Sequence, residues 1–310
     1  MAMLIIDALA SANHNVPPGH PEHAGRYEAA KTALLAVDDL HWVKAKPANR
    51  GELERFHTRA HVDRVLEACA AAGEGELVGL DADTVVSGAS AAAGLQAAGA
   101  VVQAAELVMT APQRTAFCLA RPPGHHAEPD RAMGFCLFNS IAVGACHALD
   151  GLGLKRVAII DIDVHHGNGS QCLAETDKRV FFASLHQAPL YPGTGTRKET
   201  GLNGNVLNIP LPDQTPVALW RQHFETELLP ALEAFAPGMI FVSAGFDGHR
   251  DDPLGGFSLD DADYAWIAER LLSVAHKTAD SRLVSVLEGG YDCPALGRSA
   301  AAFTAALAAG

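Results

Sequence analysis

Asp161, Asp163 and His165 occupy alternate positions directly after the apolar run Val157-Ala158-Ile159-Ile160. A short run of this kind, bounded by glycine turns, reads as a buried strand. Alternation along a strand would send all three polar side chains to one side. A carboxylate and an imidazole two residues apart at a strand end make two ligands of a divalent-metal site. Asp247, in Gly245-Phe246-Asp247-Gly248, ends another apolar run and offers a third. One nitrogen and two carboxylates leave open positions for water and substrate, the pattern of catalytic rather than structural zinc. An isolated Asp-x-His pair is more often a strand-end cap beside a half-buried histidine. Asp247 and a second histidine cluster turn the reading toward metal.

That cluster is His125-His126, after the rigid turn Arg121-Pro122-Pro123-Gly124. Two adjacent imidazoles suit general acid–base work near neutral pH, provided each has a partner that fixes its tautomer. Asp161 shares the ligands' face without being one of them and suits one histidine. Asn168 is the candidate for the other. Tyr291, after Glu288-Gly289-Gly290, carries a phenol able to donate to an oxyanion formed during amide hydrolysis. Taken alone, it would read as a core tyrosine anchoring its loop.

The elements that must position these residues are legible as alternation. Strand patterns at 3–8, 115–120, 156–161, 180–185, 206–210, 239–244 and 282–287 are separated by helical patterns. The helices are expected at 24–37, 59–72, 90–109, 136–149, 216–235, 260–277 and 294–309, with Pro216 and Pro294 suited to first turns. Such alternation predicts an α/β fold with a mostly parallel sheet and helices on both faces. Ligands of such sheets bind beyond the carboxyl ends of the strands. Four of the predicted strands run into the histidines, the two metal-ligand motifs and the tyrosine. No linker or repeat interrupts the 310 residues, so 1–310 reads as a single domain.

The net charge of −13 and the absence of a Lys/Arg cluster exclude a nucleic-acid surface and leave cationic substrates compatible. No segment is expected to reach the roughly 18–20 apolar residues of a membrane span. The N-terminus lacks the pattern of a signal peptide, and six cysteines without CxxC spacing suit reduced thiols in a cytoplasmic protein. The loop 13–23, rich in His and Pro, is expected to shape either the site entrance or a subunit contact of a homo-oligomer.

Several motifs, in order along the chain, resemble the zinc-dependent histone deacetylase family in its class II-like and bacterial form. They run from His20-Pro21-Glu22 through Arg121-Pro122-Pro123-Gly124-His125-His126-Ala127 and Met133-Gly134-Phe135-Cys136-Leu137-Phe138-Asn139 to the stretch 161–171. Ser184-Leu185-His186, Tyr191-Pro192-Gly193-Thr194-Gly195, Ser243-Ala244-Gly245-Phe246-Asp247 and Glu288-Gly289-Gly290-Tyr291 complete the set. The resemblance implies an arginase/deacetylase-like fold of about eight strands and a zinc held by Asp163, His165 and Asp247. It implies His126 as general base and acid, with His125 paired to Asp161 as an electrostatic helper. Asn168 stands beside His126 where class I relatives carry Asp. Tyr291 matches the tyrosine that polarises the substrate carbonyl. Phe135 and Tyr191 match two aromatic walls around a lysine-like chain, and Gly134, Leu254 and His20 join the substrate-contacting set. A structural potassium is implied at Asp161, Asp163, His165, Ser184 and Leu185. Arg26 matches an arginine near the product-release channel.

The implied reaction is hydrolysis of an N-acyl amine, first an acetylated lysine in a peptide or protein. The alternative is a small acylated amine such as an acetylpolyamine. Polyamine-selective relatives place a glutamate where this chain has the apolar Leu254, which favours acyl-lysine, although Asp251, Asp252 and Glu22 are further sources of rim charge. An arginase-type binuclear manganese hydrolase lacks its second ligand set here. A non-catalytic acyl-lysine binder would not require the ligands, both histidines and Tyr291 together.

Overall fold

The computed structural model describes residues 3–310. The strands are β1 (Met3–Asp7), β2 (Leu40–Lys44), β3 (Val78–Gly79), β4 (Val85–Val86), β5 (Thr115–Leu119), β6 (Val157–Asp161), β7 (Val180–Gln187), β8 (Val206–Leu211), β9 (Ile240–Ala244) and β10 (Leu283–Leu287). The helices are α1 (Gly25–Leu34), α2 (Arg50–Leu53), α3 (Arg59–Ala71), α4 (Ser90–Thr110), α5 (Ser140–Asp150), α6 (Asn168–Thr176), α7 (Val217–His223), α8 (Leu229–Phe235), α9 (Asp261–Thr278) and α10 (Cys293–Ala309). β3 and β4 form a small antiparallel ribbon. The other eight strands form one sheet in the order β2-β1-β5-β10-β9-β6-β7-β8, parallel throughout.

Each strand end carries its side chains to both faces, and each face has its own core. Met3 and Ile5 of β1 pack in one core with Tyr27 of α1, Tyr264 of α9 and Phe303 of α10. Leu4 and Ile6 point the other way, into a core with Val101 of α4 and Ile141 of α5. The single α/β domain expected from alternation is therefore observed. The chain lays down β9 and β10 last, between β5 and β6. The four strands that precede the candidate catalytic residues are thus the four central ones, and being parallel they all end at one edge.

Several elements depart from the sequence reading. β2 was not expected, because Leu40-His41-Trp42-Val43-Lys44 is a half-exposed edge strand without a continuous apolar run. The helix expected from residue 136 starts at Ser140. Met133 and Cys136 bridge each other, and the Asn139 side chain caps α5 by accepting from the Ala142 N–H at 3.0 Å. The helix expected over 216–235 is broken by a π turn at Phe224–Leu228, just before Pro230, whose missing N–H cannot continue the α ladder. Pro216 is the N-cap residue rather than the first helical one, whereas Pro294 lies in the first turn as expected. α4 is long and apolar enough to cross a membrane by length and composition, contrary to the expectation that no segment is; two thirds of its most apolar window is buried inside the fold, as in a core helix.

Candidate active site

β6 ends at Asp161, so Asp163 and His165 lie in the turn beyond it rather than on the strand itself. Convergence is achieved by hydrogen bonds instead of strand alternation. Asp161 Oδ1 accepts the Asp163 N–H at 3.1 Å, and Asp163 Oδ1 accepts the His165 N–H at 2.9 Å. Asp247, after β9, accepts the Val164 N–H at 2.8 Å, and Asp163 accepts the Gly289 N–H at the same distance. Gly289 is required here, because a Cβ would lie 2.0 Å from an Asp247 oxygen. Donor atoms of Asp163, His165 and Asp247 all lie within 4.8 Å of one another, and all three residues are buried.

This trio suits a divalent cation. Burial, joined by the charge of Asp163, pushes the Asp247 carboxyl up to about 7. Burial opposes a charge on His165, yet its contacts to Asp163 at 3.0 Å and Asp247 at 3.1 Å outweigh that and raise it to about 10. Two buried carboxylates on one imidazole concentrate negative charge in a medium that penalises it, and positive charge at their centre relieves it. His166, next in sequence, faces away to Thr194 and Gln171.

The tandem histidines behave differently from each other. His125 donates from Nδ1 to Asp161 Oδ2 at 2.9 Å. Burial disfavours its charge, but Asp161 and Asp163 overcome this and hold it well above the ordinary imidazole value. His126 donates from Nδ1 to Asn168 Oδ1 at 2.9 Å, as the sequence pairing anticipated. Burial, then the charges of His125 and His165, hold His126 well below the ordinary value. Environments that push two neighbouring imidazoles apart in this way favour a charged His125 beside a neutral His126.

Above the trio opens a cavity of about 270 Å³ lined by Asp83, His126, Gly134, Phe135, His165, Leu190, Tyr191, Leu254 and Tyr291. Tyr191 meets His126 edge-on at 5.1 Å between centroids, and Phe135 meets Tyr291 at 6.1 Å. Phe135 has φ +68°, a left-handed conformation uncommon outside glycine that marks stored strain at the cavity wall. Gly134 has φ +56°, and a Cβ there would sit 2.5 Å from the His126 ring. Burial keeps the Tyr291 hydroxyl protonated, well above its ordinary value, and so available as a donor. Gly134, Phe135, Tyr191 and Leu254, expected to contact substrate, all line this cavity. His20 does not line the cavity; it packs edge-on behind Phe135 at 4.7 Å. Ser184 is the register partner of Asp161 on β7, with Leu185 following it, both buried. A larger surface cleft of about 540 Å³ along His14–Ala24 contains none of the metal donors.

Two sources of rim charge are withdrawn by the structure. Glu22 is fully buried, accepting from Arg26 at 2.8 Å and from Arg121 at 2.5 Å. Asp252 is buried and accepts the N–H groups of Tyr291 and Leu254, so it fixes the Tyr291 loop. Asp251 pairs with Arg298 at 3.3 Å. The acidic residue that does line the cavity is Asp83, which carries no sequence signal because it sits in the turn joining β3 and β4, far from any motif. Glu288 was also missed as a participant: its Oε2 accepts the N–H groups of Gly124 at 2.6 Å and His125 at 3.1 Å, clamping the histidine turn. Arg26, fully buried, donates to the carbonyls of Gly290 and Glu288 and lies 4.8 Å over the Tyr291 ring.

Comparison with known proteins agrees with the fold. The model of the histone deacetylase domain matches residues 20–307. A probable deacetylase of Methanothermobacter thermautotrophicus is 41% identical over 308 residues, covering 97% of this chain and 89% of its own. The uncharacterized protein slr0245 of Synechocystis sp. is 40% identical over 299 residues, covering 95% of this chain and 96% of its own. The crystal structure of the HDA15 HD domain superimposes with a TM-score of 0.92 at 32% identity, covering 99% of this chain and 88% of that one.

Proposed function

This chain belongs to the histone deacetylase domain family, as a deacetylase, and from that premise we propose that it hydrolyses N-acetyl-lysine amides with a zinc held by Asp163, His165 and Asp247. The observation that carries the reading is convergence: His165 of the donor trio, His126 and Tyr291 line one mostly apolar slot, with Asp163 and Asp247 buried against His165. When bound, zinc supplies Lewis acidity, polarising the acyl carbonyl and lowering the pKa of water beside it. The chain does the rest. Phe135 and Tyr191 enclose the methylene chain and exclude bulk water. His126 lines the cavity with its Nδ1 engaged by Asn168, leaving Nε2 to take a proton from the attacking water. Tyr291 donates a hydrogen bond to the oxyanion as the tetrahedral state forms. His125 stays charged against Asp161, and its positive charge discourages His126 from holding a proton before the reaction. His126 then returns its proton to the leaving amine.

A structural potassium at Asp161, Asp163, His165, Ser184 and Leu185 belongs to the same proposal, supported by the side-by-side register of Asp161 and Ser184. The second substrate reading, an acetylpolyamine, has one specific support: Asp83 lines the slot and could meet a distal ammonium. Leu254 on the same lining favours acyl-lysine. Turnover of zinc-loaded protein on acetyl-lysine peptides against N-acetylspermidine tests the choice. A higher kcat/KM for the peptide is expected; the reverse order would move the assignment to polyamines.

A further inference from the structure

We infer that Glu128 is a positioning residue for this reaction: it fixes the orientation of the Asn168 amide and, through it, which nitrogen of His126 carries the proton. The inference rests on the proposed role of His126 as the base.

A carboxylate beside an imidazole can only accept, so either of its faces holds the proton on the adjoining nitrogen. An amide has two unlike ends. With its oxygen toward Nδ1, Asn168 keeps Nδ1–H and leaves the Nε2 lone pair facing the cavity. With its NH₂ toward Nδ1, it would force the proton onto Nε2 and remove the base. A site built on asparagine therefore needs something that decides between the two orientations.

The structure supplies it. Asn168 Nδ2 donates to Glu128 Oε1 at 2.8 Å, to the His126 carbonyl at 3.3 Å and to Met133 Sδ at 3.4 Å. All three are acceptors, and the carboxylate is both the nearest and the only charged one. Turning the amide over would set two oxygens against each other at the Glu128 contact and forfeit a charge-assisted hydrogen bond. The carboxylate also polarises the amide, making Asn168 Oδ1 a better acceptor for His126.

Glu128 is itself held in place. Arg131 donates to its other oxygen at 3.2 Å, the backbones of Glu128 and Arg131 bridge each other, and His57 donates from Nδ1 to the Glu128 carbonyl at 3.1 Å. It lies two residues beyond His126, where it opens the next turn, Glu128–Arg131, so only a short piece of backbone separates the base from this anchor. Glu128 does not line the substrate cavity. Its side chain keeps 25% of its exposure, so its influence works through orientation of the amide more than through field strength at His126.

The test combines steady-state kinetics on zinc-loaded protein with nitrogen NMR of labelled histidine, which reads the tautomer directly. Glu128→Ala should lower kcat about tenfold, in the range for outer partners of metal-site residues, with KM within about twofold because no substrate contact is lost. Asn168→Asp offers an acceptor-only partner that needs no anchor, so adding N168D to E128A should recover part of the lost kcat. N168D alone should be worse than the double variant, because it sets two carboxylates in contact. In the NMR spectrum His126 should hold its proton on Nδ1 in the native chain and populate the other tautomer in E128A. An unchanged tautomer in E128A overturns the inference, as does a double variant no more active than E128A. A native chain with the Nδ1–H tautomer and the E128A shift, yet without deacetylase turnover, would instead sink the functional reading and leave the Glu128 role standing.

Discussion

Glu22 offers a quantitative test of how the floor of the site is held. It is fully buried between two fully buried arginines, Arg26 and Arg121, with His14 Nε2 at 3.6 Å. Burial alone would raise its carboxyl, but the two guanidiniums outweigh burial and bring it from 4.5 down to about 2. A folded value below the unfolded one adds stability that is complete above pH 4.5 and is lost as pH falls through about 2. At about 1.4 kcal/mol per pH unit, that depression corresponds to about 3 kcal/mol. Glu22→Gln keeps an acceptor and removes the charge, stranding buried cations, for which breaking a buried pair typically costs about 3–5 kcal/mol. The assay is urea unfolding of the native and E22Q chains in chelator, so that metal binding does not contribute, at several values between about pH 6 and pH 2. The stability gap should be widest near neutrality and shrink steadily below pH 4.5. A gap of constant size across that window would refute the buried-carboxylate reasoning. Because Arg26 also donates to the carbonyls of Glu288 and Gly290 beneath Tyr291, E22Q should lower turnover while leaving metal content unchanged.

Other substitutions probe the walls and the donors. Tyr291→Phe should lower kcat by about 10²–10³, the usual loss for one oxyanion donor, with full metal content by elemental analysis; unchanged turnover would remove the role given to its hydroxyl. Gly134→Ala forces a Cβ to within 2.5 Å of the His126 ring at φ +56°, so kcat should fall at least about tenfold with the circular-dichroism spectrum intact. Leu254→Glu, on the cavity lining, should shift the kcat/KM ratio toward acetylspermidine over an acetyl-lysine peptide by about tenfold; an unmoved ratio would show that Leu254 does not set selectivity.

Much of this site could be read from the chain because it is built at strand ends. The apolar runs of β5, β6, β9 and β10 announce themselves, and each passes directly into its functional residues. The register that puts these four strands side by side is long-range, yet the parallel-sheet rule alone was enough to bring their ends together. What stayed hidden depends on partners distant in sequence. Glu22 looked like an exposed acidic residue in a polar loop, and only the arrival of Arg121, 99 residues away, explains its burial. Asp252 likewise looked like surface charge until its carboxylate met the N–H of Tyr291. Asp83 reaches the cavity from the turn between two two-residue strands, which are too short to leave a pattern. β2 was invisible because an edge strand needs no apolar run, and the π turn was missed because Pro230, whose lost N–H interrupts the α ladder, stands in an otherwise continuous helical pattern that buries Phe224 and Leu228.

If Asp163, His165 and Asp247 hold the zinc on which deacetylation depends, a zinc titration of chelated protein reveals it, following release of acetate from an acetyl-lysine peptide alongside bound metal. Activity should be absent after chelation and return in proportion to zinc up to one ion per chain, while Asp247→Ala neither binds the ion tightly nor recovers turnover. Full activity in the chelated protein, or full zinc occupancy with native turnover in Asp247→Ala, would contradict it.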